Sequence, residues 1–217
     1  VAMTHRCHLK CLHCYLGDER YEKPEGVELP TEFWASLVDQ MADAGCLNLL
    51  ITGGEPLLRR DFALLYERIK RKGILVTVFT NATLVDGPIA DLLEDLPPQL
   101  VEVSLYGASE AVYESVTGIP GSYRRCLAGV DALLQRGVAV GLKTVILTEN
   151  VHEVQAMRTM AEGRGVAFRV DPAVFPCRDG DQAPVDHRID AREAVALEMA
   201  DHKLLEASAR AFERMRD

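Results

Sequence analysis

Short apolar runs alternating with longer segments of helical periodicity constrain this chain more than any other feature. Residues 49–52, 75–80, 100–105, 138–147 and 167–170 read as strands, and residues 1–4 as a first strand already under way. The stretches between them read as helices. Over 30–44, Phe33, Leu37, Val38 and Met41 recur at helical spacing; 62–72 stops at Gly73, and 88–96 is closed by Pro97-Pro98. Residues 123–135 precede Gly137, and 154–162 complete the set. A helix between successive strands makes those strands parallel, and strands apolar on both faces need helices to cover them. The class is therefore α/β. A doubly wound sheet and a barrel both satisfy the alternation, and in either one ligands gather at the C-terminal ends of the strands. Cys7, Gly53, Asn81 and Ser104 all fall at or just beyond such ends.

Chemistry concentrates in two motifs. The first is Cys7-His8-Leu9-Lys10-Cys11-Leu12-His13-Cys14, a CxxxCxxC spacing too dense for ordinary core cysteines. Zinc usually recruits a second pair of Cys or His at matching spacing; none follows, although His8 or His13 would complete a mixed site. Three thiolates also suit a cubane cluster, holding three irons and leaving the fourth open to another ligand. The second motif is Thr52-Gly53-Gly54-Glu55-Pro56-Leu57, directly after the apolar run Leu49-Leu50-Ile51. Adjacent glycines at a strand end let a ligand approach the backbone closely. Glu55 offers an acceptor suited to an ammonium group, and Pro56 fixes the exit of the turn. Taken alone, Gly-Gly-Glu-Pro is also an ordinary strand-to-helix turn.

Both motifs in this order resemble the radical S-adenosylmethionine (radical SAM) superfamily. The resemblance implies an open, partial (β/α)6 TIM barrel rather than a doubly wound sheet. It implies that Cys7, Cys11 and Cys14 ligate a 4Fe–4S cluster whose open iron binds S-adenosylmethionine, and that Gly53, Gly54, Glu55 and Pro56 form the turn holding the methionyl amine. His13 falls where the family has an aromatic residue whose backbone meets the adenine. Asn81, in Thr80-Asn81, matches the family's Thr-Asn turn, and Ser104 a serine that touches the methionyl carboxylate. An arginine found past that serine in many relatives is replaced here by Val116-Thr117-Gly118, with Arg124 and Arg125 later; Lys143 is the substitute expected to meet the carboxylate, unless it snorkels to solvent. Phe168-Arg169-Val170-Asp171-Pro172 and the 117–122 stretch resemble the SPASM subgroup, many of whose members modify ribosomally made peptides with the help of a further cysteine-rich domain.

The resemblance thus implies an enzyme that cleaves S-adenosylmethionine reductively and uses a 5′-deoxyadenosyl radical to abstract hydrogen from a peptide, with electrons from an external donor such as flavodoxin or ferredoxin. Haem and molybdenum-cofactor biosynthesis are the alternatives within the superfamily, and a non-catalytic zinc-binding module the alternative outside it. Residues 1–217 are expected to be one core domain, truncated at both ends. The 48% hydrophobic content supports a sizeable core, and the uneven clustering of the six cysteines fits a reducing, cytoplasmic setting. A net charge of −9 argues against a broad nucleic-acid surface, and no apolar run reaches membrane-spanning length. Arg169 and Asp171 share a strand face and are expected to pair with each other; Cys46 and Cys126 are expected to be packing residues, with Cys177 apart from them.

Overall fold

Five strands pair side by side in chain order in a computed structural model that describes residues 1–17 and 28–200. The elements are α1 (Thr31–Asp43), β1 (Asn48–Ile51), α2 (Phe62–Arg71), β2 (Leu75–Thr80), α3 (Gly87–Asp95) and β3 (Leu100–Ser104). There follow α4 (Glu110–Thr117), α5 (Ser122–Gln135), β4 (Val140–Val145), α6 (Val154–Gly163), β5 (Ala167–Asp171) and α7 (Ala191–Ala200). Every pairing is parallel. A doubly wound sheet reverses its strand order at a switch point. The order β1-β2-β3-β4-β5 contains no reversal, so the sheet is of the partial-barrel kind.

Side chains alternate along the strands. Val76 and Val78 of β2, Val101 and Val103 of β3 and Leu142 of β4 are buried in the same core as Leu65 and Ile69 of α2, Val130 and Leu133 of α5 and Met157 of α6. Each such aliphatic side chain contributes roughly 1.5–3 kcal/mol of burial. In α2 the buried Phe62, Leu65, Tyr66 and Ile69 recur at 3 or 4 residues, one stripe of a helix. The residues between the buried strand positions, among them Phe79 and Lys143, lie on the sheet's other face, toward the site.

The structure revises several expected elements. Residues 1–4 form no full strand: Ala2 makes an isolated parallel bridge with Thr52, flanked by Thr52 N–H to Val1 O and Met3 N–H to Thr52 O, both 2.9 Å. The long strand expected over 138–147 is limited to Val140–Val145. Helices α4 and α7 have no counterpart in the sequence reading. The signal for α4 was Ser109, whose hydroxyl caps the helix by accepting from Val112 N–H at 3.3 Å, with Gly118 ending it at a φ of +66°. A charged, helix-forming stretch is also expected toward Asp217, and that expectation falls outside the described residues. No described helix is long and apolar enough to cross a membrane.

Candidate cofactor site

The loop carrying the three cysteines is anchored by backbone bonds on several sides. Lys10 N–H donates to Thr117 O at 2.8 Å and Leu12 N–H to Val116 O at 3.0 Å, tying it to the end of α4. Arg178 N–H reaches Tyr15 O at 2.9 Å from the segment after β5. Leu9, only 1% exposed, plugs the loop into the fold. Cys7, Cys11 and Cys14 are half-buried and line one cavity of about 230 Å³. Its other walls include His13, Gly53, Gly54, Asn81, Ser104 and Lys143. Among the described residues no three His, Cys, Asp or Glu side chains converge as they would on a single metal ion. A cubane asks for something else, one thiolate on each of three irons, and three thiolates around one cavity fit that donor set.

Gly53 and Gly54 line the cavity and also lie against the main chain that precedes Cys7. Gly53 sits at a φ of +148°, and a Cβ there would lie 2.3 Å from Thr4 O. A Cβ on Gly54 would lie 2.3 Å from Arg6 O and 2.5 Å from His5 O. Gly54 N–H donates to Thr4 O and Glu55 N–H to Arg6 O, both at 2.8 Å. The segment leading into Cys7 therefore rests directly on the glycine turn.

Glu55 and Pro56 stand outside the cavity lining. Glu55 is 0% exposed, and its carboxylate accepts from Thr80 Oγ1 at 2.8 Å, Asn81 N–H at 2.8 Å and Leu57 N–H at 3.1 Å. Burial pushes it up to about 7 against the pull of those donors. Its geometry is that of a brace between the ends of β1 and β2, where the sequence had promised an acceptor for an ammonium group. Pro56 is buried at the first position of a 3-10 turn, Pro56–Leu58.

The turn after β2 is built tightly. Ala82 adopts a φ of +57°, a strained conformation for a residue with a Cβ. This places Asn81 at the cavity and Thr83 behind it. Thr83 Oγ1 lies 2.7 Å from Asn81 Oδ1, and His8 Nε2 lies 2.6 Å from Thr83 Oγ1. Burial, with Arg125 adding to it, lowers the His8 pKa.

Ser104 and Lys143 are register partners across β3 and β4, and Lys143 is in turn paired with Arg169 of β5. Lys143 does not snorkel: its Nζ lies 3.5 Å from Glu102 Oε2 and 3.5 Å from the Phe79 ring centre. Burial lowers its pKa, opposed by Glu102. Arg169 grips Glu102 with two bonds of 2.9 and 2.8 Å, while Asp171 stands 3.9 Å away. The expected Arg169–Asp171 pair is thus secondary. Glu102 went unnoticed because a carboxylate in the apolar run 100–105 carries no motif. Tyr106 was also missed. It lines the cavity with its ring 4.8 Å from that of His13, edge to face, and burial raises its pKa well above normal. An aromatic residue two past Ser104 was the available signal. Cys126 is fully buried, as expected of packing. Cys177 packs against the cysteine loop, its Sγ 3.6 Å from Cys14 O, without lining the cavity. Arg124 pairs with Glu110 at 3.1 Å, and neither it nor Arg125 lines the cavity.

Known proteins resemble this chain over most of its length. A family model described as the Radical SAM superfamily matches residues 1–161. Fe-coproporphyrin III synthase of Methanosarcina barkeri is 34% identical over 160 residues, 74% of this chain and 39% of that protein. Pre-heme d1 synthase of Dinoroseobacter shibae is 31% identical over 211 residues, covering 92% and 50%. PqqA peptide cyclase of Gluconobacter oxydans is 30% identical over 171 residues, covering 79% and 47%. The chain therefore spans half or less of the length of these relatives. Among solved structures, Streptococcus suis SuiB superposes with a TM-score of 0.72 at 17% identity, covering 100% of this chain and 46% of that one. Native anSMEcpe with bound AdoMet and Cp18Cys peptide gives 0.71 at 17%, covering 88% and 54%. At those identities the likeness is one of fold.

Proposed function

The chain belongs to the radical SAM superfamily, and on that premise we propose that it cleaves S-adenosylmethionine reductively in order to modify a ribosomally made peptide. One observation carries the reading: the three cysteines share a single cavity with Gly53, Gly54, Asn81, Ser104 and Lys143, at the C-terminal ends of parallel strands. Cys7, Cys11 and Cys14 would hold the 4Fe–4S cluster. With S-adenosylmethionine bound, that group supplies one-electron cleavage of the sulfonium and so a 5′-deoxyadenosyl radical able to take a hydrogen atom. The chain's own part is placement. Gly53 and Gly54 bring main chain to the cavity wall, Ser104 and Lys143 offer a hydroxyl and an ammonium to a carboxylate, and Leu9 and Val145 supply apolar walls against water. The cleavage step needs no acid–base pair, so His5, His8 and Glu55 receive no proton-transfer role. Electrons come from an external donor such as flavodoxin or ferredoxin, in the cytoplasm.

The similarity to PqqA peptide cyclase, and the peptide named with anSMEcpe, support a peptide substrate. A second reading, action on a tetrapyrrole, is favoured by the 34% identity to Fe-coproporphyrin III synthase. Anaerobic reconstitution tests the shared core of both. Wild type should take up about four irons per chain and yield 5′-deoxyadenosine. Single Ala replacements of Cys7, Cys11 or Cys14 should abolish both, and Cys46→Ala should spare both. Full iron content in Cys11→Ala, or a colourless zinc protein, would overturn the assignment. Offering the reconstituted protein candidate peptides and a porphyrin side by side then separates the two substrates.

A further inference from the structure

His8 lies inside the cysteine loop, yet its hydrogen bond leaves the loop for the turn after β2. Hydrogen-bond arithmetic fixes the direction of the chain it begins. The Asn81 side-chain atom facing Thr83 meets the Thr83 N–H at 3.0 Å, so that atom must be an acceptor, the amide oxygen. The same oxygen lies 2.7 Å from Thr83 Oγ1, and having no proton of its own it takes the hydroxyl's. A hydroxyl has one proton to give, so Thr83 Oγ1 accepts from His8, 2.6 Å away, and His8 is protonated on Nε2. His8 Nδ1 then carries a lone pair, and it has no hydrogen-bond partner among the described residues. The chain ends at the cavity. Asn81 and Thr83 are each 7% exposed, Asn81 lines the wall, and no described residue accepts from its Nδ2.

We infer that His8 is a positioning residue: through Thr83 it locks the Asn81 carboxamide with its NH2 group presented to the bound cofactor. The inference rests on the reading that this cavity takes S-adenosylmethionine. Asn81 then acts as a donor toward an oxygen or ring nitrogen of that molecule. Without His8, the Thr83 hydroxyl is free to rotate and the carboxamide loses one of the two bonds that set its orientation. The backbone strain at Ala82 is consistent with a turn shaped to hold Asn81 and Thr83 in these places.

The test is S-adenosylmethionine binding to the anaerobically reconstituted protein, with iron content measured alongside. His8→Ala and Thr83→Val should each weaken binding roughly 3- to 10-fold while iron content stays at the wild-type level. Thr83→Ser, which keeps the hydroxyl, should bind like wild type. In the Thr83→Val background, His8→Ala should add no further loss, because the link is already cut. Unchanged affinity in Thr83→Val, or losses that multiply in the double variant, would overturn the inference. So would loss of iron in His8→Ala, which would make His8 a support of the loop rather than of Asn81. Wild type failing to bind S-adenosylmethionine at all is a different failure, that of the cavity's assignment.

Discussion

At Gly54 a single methyl group would collide with the carbonyl oxygens of both His5 and Arg6, the residues that lead into Cys7. Gly54→Ala should therefore lower stability by at least ~2 kcal/mol and reduce iron retention as well as S-adenosylmethionine binding. Normal iron content with weakened binding, the pattern of a purely ligand-facing glycine, would contradict this. Glu55 gives a pH-dependent expectation. Its folded-state pKa of about 7 lies above the ordinary 4.5, so between those values the folded chain holds a proton that the unfolded chain has released. Stability must then fall as pH rises through that window, by about 3 kcal/mol at most, with no further change from Glu55 below or above it. Denaturant midpoints of metal-free wild type and Glu55→Gln, compared from pH 5 to 8, isolate the effect. If the difference between them is flat, the three donors keep the carboxylate ionised throughout.

Strand-scale energetics centre on the row that crosses β3, β4 and β5. Glu102 is 7% exposed and neutralises both Lys143 and Arg169, which come from neighbouring strands. Glu102→Ala would leave two cations side by side with no carboxylate between them, and should cost roughly 1–3 kcal/mol. Arg169→Ala should cost less, because its side chain is half-exposed and water can replace part of the bond. Chemical denaturation of both variants ranks them. Equal losses would mean that the carboxylate matters only as Arg169's partner and that Lys143 draws nothing from it. The row also explains why Lys143 can face the cavity: an ammonium of lowered pKa is kept charged by Glu102 and by the face of the Phe79 ring.

For the molecule as a whole, the cavity wall is assembled from residues between Cys7 and Phe175, drawn from both ends of the described chain. The 217-residue chain, reconstituted anaerobically with all three cysteines in place, should yield 5′-deoxyadenosine from S-adenosylmethionine and a reductant. Mass spectrometry of the reaction products reads this directly. An iron-loaded chain that gives none of that product would show that this wall does not by itself support cleavage.

Periodicity in the sequence determined the α/β class, most of the helices and the order in which strands and helices alternate, because each element's burial pattern is written locally. The spacing of Cys7, Cys11 and Cys14 and the Gly53-Gly54 pair were legible for the same reason: each is a short-range pattern. Strand order was not, since a reversal or its absence depends on which edges meet, and only β1-β2-β3-β4-β5 pairing settled it. The roles of Glu55, Glu102 and His8 also waited on tertiary structure. A carboxylate 25 residues from Thr80, another 67 from Arg169 and an imidazole 75 from Thr83 have no sequence signature. Whether such a group meets a ligand or braces the fold is decided by what packs against it, and in a parallel sheet many of those neighbours come from distant segments.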